Sequence, residues 1–189
     1  MTRKRIMFAL GAAFALALCG CGDKGGSSAT DSEKAGDVGV LNTALSQELT
    51  AVDAYTRGLP LLHGEALAVG RRFRTQEQEH ADAITRAIRG LGGKSEIEKN
   101  PLDYTGLKTQ AGFLALAYEE ENALIAFYMN AIPKLETTAP RPLLAAIAAN
   151  EAEHLVVLRR ELGARPDELA PEAFETGEVP APTKAVVPR

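Results

Sequence analysis

Apolar residues recur along the chain at alternating steps of three and four, which is the spacing of one face of a helix. Leu41, Leu45, Glu48, Val52, Tyr55 and Leu59 form the first such seam, and Gly58 and Pro60 end or kink it. A second seam runs from Gly70 through Phe73, Glu77, His80, Ile84, Ile88 and Leu91, and the Gly92-Gly93 pair stops it. The third reads Leu114, Ala117, Glu121, Leu124, Tyr128, Ile132, Leu135. The fourth begins after Pro140 and Pro142, continues through Leu144, Ile147, Glu151, His154, Leu158 and Leu162, and meets a C-cap candidate in Gly163. Short Gly/Pro-marked links make helices one and two, and three and four, antiparallel neighbours. The stretch from Gly93 to Gly106 is long enough to run the length of a bundle. The expectation is an all-α, antiparallel four-helix bundle over residues 38–163, with one long crossover between helices two and three.

Each seam carries ionisable groups at positions reserved for core side chains. The pattern also repeats. Glu48 and Tyr55 are seven apart on the first helix, as are Glu121 and Tyr128 on the third. Glu77-x-x-His80 on the second matches Glu151-x-x-His154 on the fourth, and the two helix pairs are offset by about 73 residues. Four carboxylates brought together in a core cost several kcal/mol each and repel one another. No Lys or Arg lies on any seam to offset them. Two divalent cations match their charge, and two neutral imidazoles complete a mixed oxygen and nitrogen ligand set. A Glu from each of two helices, with Glu-x-x-His from the other two, is the pattern of a di-iron or di-manganese carboxylate site. Glu48, Glu77, His80, Glu121, Glu151 and His154 are therefore the expected metal ligands. Within the run Glu119-Glu120-Glu121 the seam favours Glu121, and Glu120 is the alternative. Tyr55 and Tyr128 are either core aromatics or hydrogen-bond partners of ligand carboxylates. His63 is expected on the surface, and Arg71, Arg72 and Arg74 are expected to face solvent.

The segment Gln76-Glu77-Gln78-Glu79-His80-Ala81-Asp82 is similar to the second-helix motif of the ferritin-like superfamily, which includes ferritins, bacterioferritins and rubrerythrins. The resemblance covers residues 38–163 and all six ligand positions. It implies that Glu77 and Glu151 bridge two irons, with Glu48 and His80, and Glu121 and His154, as terminal ligands. Three departures stand out. Where rubrerythrins place an additional carboxylate three residues after the third-helix Glu, this chain has Leu124. No four-Cys rubredoxin module is present, so turnover would need an external electron donor. No Met lies on a ligand seam to suggest haem binding, since Met129 falls one residue past Tyr128.

Outside the seams the chain changes character. Arg3, Lys4 and Arg5 precede the apolar run Ile6 to Leu18, which has the size of a secretory signal. The sequence Leu18-Cys19-Gly20-Cys21 resembles the bacterial lipoprotein signal, with a small residue just before the acylated Cys21. That implies a signal peptide over 1–20, lipid on Cys21, and a location in the cell envelope outside the cytoplasm. Cleavage would remove three positive charges and take the side-chain charge from −4 to −7. Residues 21–37, the lipidated Cys and a Gly/Ser-rich stretch, read as a flexible tether. Residues 164–189 contain five of the ten prolines and read as an extended tail, with an apolar patch at Leu169 and Phe174 that can pack back.

The remaining composition narrows the partners. With 21 basic and 25 acidic residues and no basic block beyond residue five, nucleic acid is not an expected ligand. The two cysteines are too close together to staple a domain. The expected function is oxidation of Fe(II) by O2 or H2O2 in iron handling or oxidative-stress defence, as a ferroxidase or peroxidase-type oxidoreductase, with manganese as the alternative metal. The other reading is a non-enzymatic metal-binding lipoprotein that serves envelope stress. Mineral storage is weaker, because a lipid tether sits awkwardly with a closed shell. Association as a homodimer through exposed helix faces is expected.

Overall fold

The computed structural model describes residues 29–97 and 102–170. Four helices account for most of them: α1 (Asp31–Gly58), α2 (Gly64–Gly90), α3 (Gln110–Ala131) and α4 (Arg141–Glu161). α1 packs on α2 and α3, and α4 packs on α3 and α2. The C-terminal end of α2 lies beside the start of α1, where a Cβ on Gly93 would stand 2.5 Å from Val38. The start of α3 lies at the other end of α1, where a Cβ on Gly58 would fall 2.2 Å from the Phe113 ring. Only glycine permits that approach. Every packed pair is therefore antiparallel, and the α2–α3 connection must run from one end of the bundle to the other. Its path is pinned along α1. Asn42 Nδ2 donates to the Lys94 carbonyl at 3.1 Å and its Oδ1 accepts from Glu96 N at 2.8 Å. Further along, Tyr104 Oη donates to Asp53 at 3.3 Å, and the Arg57 guanidinium covers its ring at 5.0 Å. The expected bundle with one long crossover is the observed fold.

The stops fall where the sequence put them. Gly92 ends α2 at φ 81°, and Gly163 follows α4 at φ 84°, both in left-handed backbone that suits glycine. Pro142 lies in the first turn of α4, where its missing N–H costs no helix bond. α2 starts at Gly64 rather than Gly70, so that Ala66 is buried and extends the packed face by about one turn.

Helix α1 corrects the expected tether over 21–37. Residues 31–37 are helical, because Thr30 and Glu33 form a reciprocal cap: Glu33 N donates to Thr30 Oγ1 at 3.2 Å, and Thr30 N to Glu33 Oε2 at 2.5 Å. Those turns show no apolar period because most of their side chains face solvent, but Asp37 is buried. It accepts from Glu136 N at 2.8 Å, Thr137 N at 2.9 Å and Thr137 Oγ1 at 2.5 Å, and so locks the α3–α4 turn against α1. Asp37→Ala orphans those donors and is expected to lower the unfolding free energy by about 2–3 kcal/mol in urea titration. The signal peptide and Cys21 lie outside the described residues, as does Phe174. At the other end, Arg159 Nη1 donates to the carbonyl of Ala170 at 2.5 Å, which holds the start of the tail on the bundle. Among the described residues no helix is long and apolar enough to cross a membrane.

Two apolar clusters fill the bundle. One contains Leu41, Leu45, Ile84, Ile88, Leu144 and Ile147, and the other Phe73, Phe113, Leu114, Tyr118, Leu155 and Leu158. The ionisable seam residues fall between them along every helix.

Candidate metal centre

All six seam residues meet at the middle of the bundle. Glu48, Glu77, Glu121, Glu151 and His154 are each at most 1% exposed, and the His80 side chain is 12% exposed. Their ligating atoms form two quartets, each within a 4.8 Å sphere of mutual distances. One quartet is Glu48, Glu77, His80 and Glu151, and the other is Glu77, Glu121, Glu151 and His154. Glu77 and Glu151 belong to both. His80 Nδ1 lies 3.0 Å from Glu151 Oε1, 3.3 Å from Glu48 Oε2 and 3.4 Å from Glu77 Oε2. His154 Nδ1 lies 3.0 Å from Glu151 Oε2, 3.1 Å from Glu77 Oε1 and 3.3 Å from Glu121 Oε2. Each shared carboxylate thus gives one oxygen to either side. The two halves follow the repeat seen in the sequence.

The outward atoms are all held. Tyr55 Oη donates to Glu121 Oε1 at 2.5 Å, and Tyr128 Oη donates to Glu48 Oε1. Each tyrosine therefore fixes the carboxylate of the other half. His80 Nε2 meets Asn150 Oδ1 at 3.1 Å, and His154 Nε2 meets Gln76 Oε1 at 3.3 Å. Phe73 stacks on the His154 ring with centroids 3.9 Å apart.

The inward atoms are a different matter. Glu48 Oε2, both oxygens of Glu77 and of Glu151, Glu121 Oε2, and Nδ1 of both histidines are buried without a hydrogen-bond partner. Buried polar atoms are rarely left so, and eight facing one another in a core ask for cations or protons. Without metal, protons fill the role. Burial pushes Glu48 up to about 8 and Glu121 well above the carboxylate range, and the neighbouring carboxylates add to both shifts. Burial pulls His80 down, but its contacts with Glu151, Glu48 and Glu77 win and raise it to about 12. His154 is raised in the same way by Glu121 and Glu151 against its own burial. Glu151, against the upward pull of burial, is held at about 2 by His154 and His80. The donor set fits metal well: six carboxylate oxygens and two imidazole nitrogens, divided evenly between two quartets with two shared members.

Glu120 takes no part. It is half-buried on another side of α3, where it lines a small cavity of about 50 Å³ with Gln47, Thr50, Leu102 and Leu124. Glu121 is the cluster residue, as the seam favoured. His63 is exposed at the start of α2, and Arg71, Arg72 and Arg74 are exposed, as expected. Gln76 and Asn150 are not among the expected site residues, because they fall one position off their seams. The signal was present all the same, since each immediately precedes the Glu of a Glu-x-x-His and so extends the repeat by one residue.

A four-helix bundle with one long crossover and a Glu/Glu-x-x-His cluster at its centre defines the ferritin-like class of proteins. A family profile for the ferritin-like domain matches residues 36–164, and the chain belongs to that family. Among solved structures, it is similar to the bacterioferritin of Desulfovibrio desulfuricans, whose diiron site was determined in different catalytic states (TM-score 0.65, 23% identity, 69% of this chain and 80% of that one). It is also similar to a ferritin-like diiron-carboxylate protein of Bacillus anthracis strain Ames (TM-score 0.59, 23% identity, 69% and 98%). Rhodobacter capsulatus bacterioferritin, solved with a metal-free dinuclear site and haem iron, follows at TM-score 0.58 and 22% identity, over 74% and 97%. No curated protein matches by sequence. At these identities the structural likeness speaks for the fold.

Proposed function

We propose that the chain is a lipid-anchored ferritin-like di-iron carboxylate protein of the cell envelope that oxidises Fe(II) with O2 or H2O2. The observation that carries this reading is the set of eight buried, inward-facing atoms that have no hydrogen-bond partner and face only one another. Glu77 and Glu151, which belong to both quartets, would be shared between two metal ions, with Glu48 and His80 completing one set of ligands and Glu121 and His154 the other. The four carboxylates would balance the charge of two dications and would stabilise the higher charge of oxidised iron. Iron held there would supply the redox chemistry: oxidation of two Fe(II) to Fe(III) would release two electrons, enough with two protons to reduce H2O2 to two waters or O2 to H2O2. The protein residues set the frame. Tyr55 and Tyr128 hold the outer oxygens of Glu121 and Glu48, so those carboxylates keep their inner oxygens on the centre. The surrounding apolar clusters keep bulk water out.

The test uses soluble protein beginning at Gly22, prepared without metal. Two equivalents of Fe(II) are added anaerobically, followed by O2 or peroxide. A rapid near-ultraviolet rise that saturates at two irons per chain, with matching oxidant consumption, is expected, and the faster oxidant names the physiological class. Metal binding with no oxidant consumed would replace this reading with a metal-stabilised binding module. The anchor has its own test. Cys21→Ser in the full chain is expected to abolish fatty-acid incorporation and move the protein from the membrane to the soluble fraction; a membrane-bound, acylated variant would refute the anchor.

A further inference from the structure

Both imidazoles are oriented alike, with Nδ1 in the cluster and Nε2 on a side-chain amide of the opposite Glu-x-x-His helix. His80 on α2 meets Asn150 on α4 at 3.1 Å, and His154 on α4 meets Gln76 on α2 at 3.3 Å. The amide orientation is settled for Asn150, because its Nδ2 donates to the carboxylate of Glu153 at 3.3 Å. A carboxylate only accepts, so Oδ1 is the atom left facing His80. An imidazole nitrogen that faces a carbonyl oxygen must carry the proton, and a neutral ring then keeps its lone pair on the other nitrogen.

We infer that Gln76 and Asn150 are positioning residues that hold His154 and His80 in the Nε2–H tautomer and aim their Nδ1 lone pairs at the metal centre. The inference rests on the di-metal reading above. The choice of amides has a second consequence. Partners behind a ligating histidine are commonly carboxylates as well as carbonyls, and a carboxylate draws the ring proton harder, making the ring a more basic ligand. Gln76 and Asn150 fix the rings without that push and without adding negative charge. They thereby favour the lower oxidation state of a bound metal relative to the same site with carboxylates there.

The experiment pairs two kinds of variant. In Gln76→Leu and Asn150→Leu the acceptor is lost, and competition titration is expected to give a 10- to 100-fold weaker zinc affinity. Nitrogen-15 spectra of the zinc-loaded protein should show loss of the single Nε2–H signature of His154 or His80. In Gln76→Glu and Asn150→Asp the acceptor returns with charge, so zinc affinity is expected to recover to at least the wild-type value. The midpoint potential of the iron-loaded protein should fall. Gln78→Glu puts the same charge on the exposed side of α2, and it should leave the potential close to wild type. If wild-type protein binds two zinc ions while the Leu variants match its affinity, this inference is overturned and the metal reading stands. It is equally overturned if Gln76→Glu and Gln78→Glu shift the potential alike. Wild-type protein that binds no zinc overturns the metal reading itself. Should a Leu variant fail to fold, the near-isosteric Glu and Asp variants still decide the matter through the potential.

Discussion

Glu77→Ala is expected to slow Fe(II) oxidation to the rate of ferrous iron in buffer while the four helices remain folded. Glu77 is shared by both quartets, with one oxygen 3.4 Å from His80 Nδ1 and the other 3.1 Å from His154 Nδ1. Its loss leaves three carboxylates against two dications. Unit charges 4 Å apart interact by about 4 kcal/mol at an effective dielectric of 20, and a pair of dications by about four times as much. On the proposed di-metal reading, a centre without Glu77 is therefore expected to lose the second ion. Zinc titration should show the second equivalent lost and the first weakened. Glu151→Ala should behave the same way, for the same reason. Glu48→Ala and Glu121→Ala make the informative contrast. Each takes a ligand from one quartet only, so one equivalent should bind with nearly the wild-type affinity. The fold survives because two separate apolar clusters, one on each side of the centre, hold the helices together. Far-ultraviolet circular dichroism should therefore be unchanged. Wild-type oxidation rates in both Glu77→Ala and Glu151→Ala would sink the di-iron reading.

The same series shows why the centre was legible in the sequence. A seam position predicts burial. A charge at such a position is an anomaly that the folded state must resolve, so Glu48, Glu77, Glu121 and Glu151 marked themselves. The repeat then told which histidines and tyrosines belong with them. Spacing along one helix says which face a residue occupies but not which residue it meets across the bundle. The crossed pairing of Tyr55 with Glu121 and of Tyr128 with Glu48 had to come from the structure.

What escaped the reading lies off the seams. Gln76 and Asn150 are half-buried polar residues beside a ligand, and in sequence they look like ordinary helix-surface positions. Arg159 lies one residue past the seam position of Leu158, yet it is buried and donates to Tyr118 Oη at 3.0 Å. The start of α1 was hidden for a related reason. Its first two turns are specified by a cap and by one buried carboxylate, and neither leaves an apolar period. Apolar periodicity reports packing against the core. Order that arises from hydrogen bonds to the backbone gives no such signal.

Loading metal-free protein with two equivalents of Zn(II) at pH 7 is expected to release about four protons. Zinc is the probe because it neither oxidises nor consumes O2. Four groups supply the protons. Glu48, raised to about 8, and Glu121, raised well above the carboxylate range, are protonated in the empty site by burial. His80, raised to about 12, and His154 are protonated by their carboxylate neighbours. Each must give up one proton to offer a lone pair, so two dications replace four protons and the charge of the centre is unchanged. The count should fall toward three as pH rises past 8, because Glu48 then empties unaided. The sign carries over to stability. The folded, metal-free protein binds protons that the unfolded chain releases above about 4.5 for Glu48 and 6.5 for His80. Those contributions are complete below the unfolded values and are lost as pH rises through about 8 and about 12, so metal-free stability falls from pH 5 to pH 8. In the loaded protein the same protons compete with metal, and stability rises over that interval. The gap in Tm between loaded and metal-free protein should therefore widen steadily with pH. Proton release is read with an indicator dye in weak buffer, and the Tm gap by calorimetry. A release near zero, or a gap that narrows with pH, would mean that zinc binds somewhere other than among these six side chains.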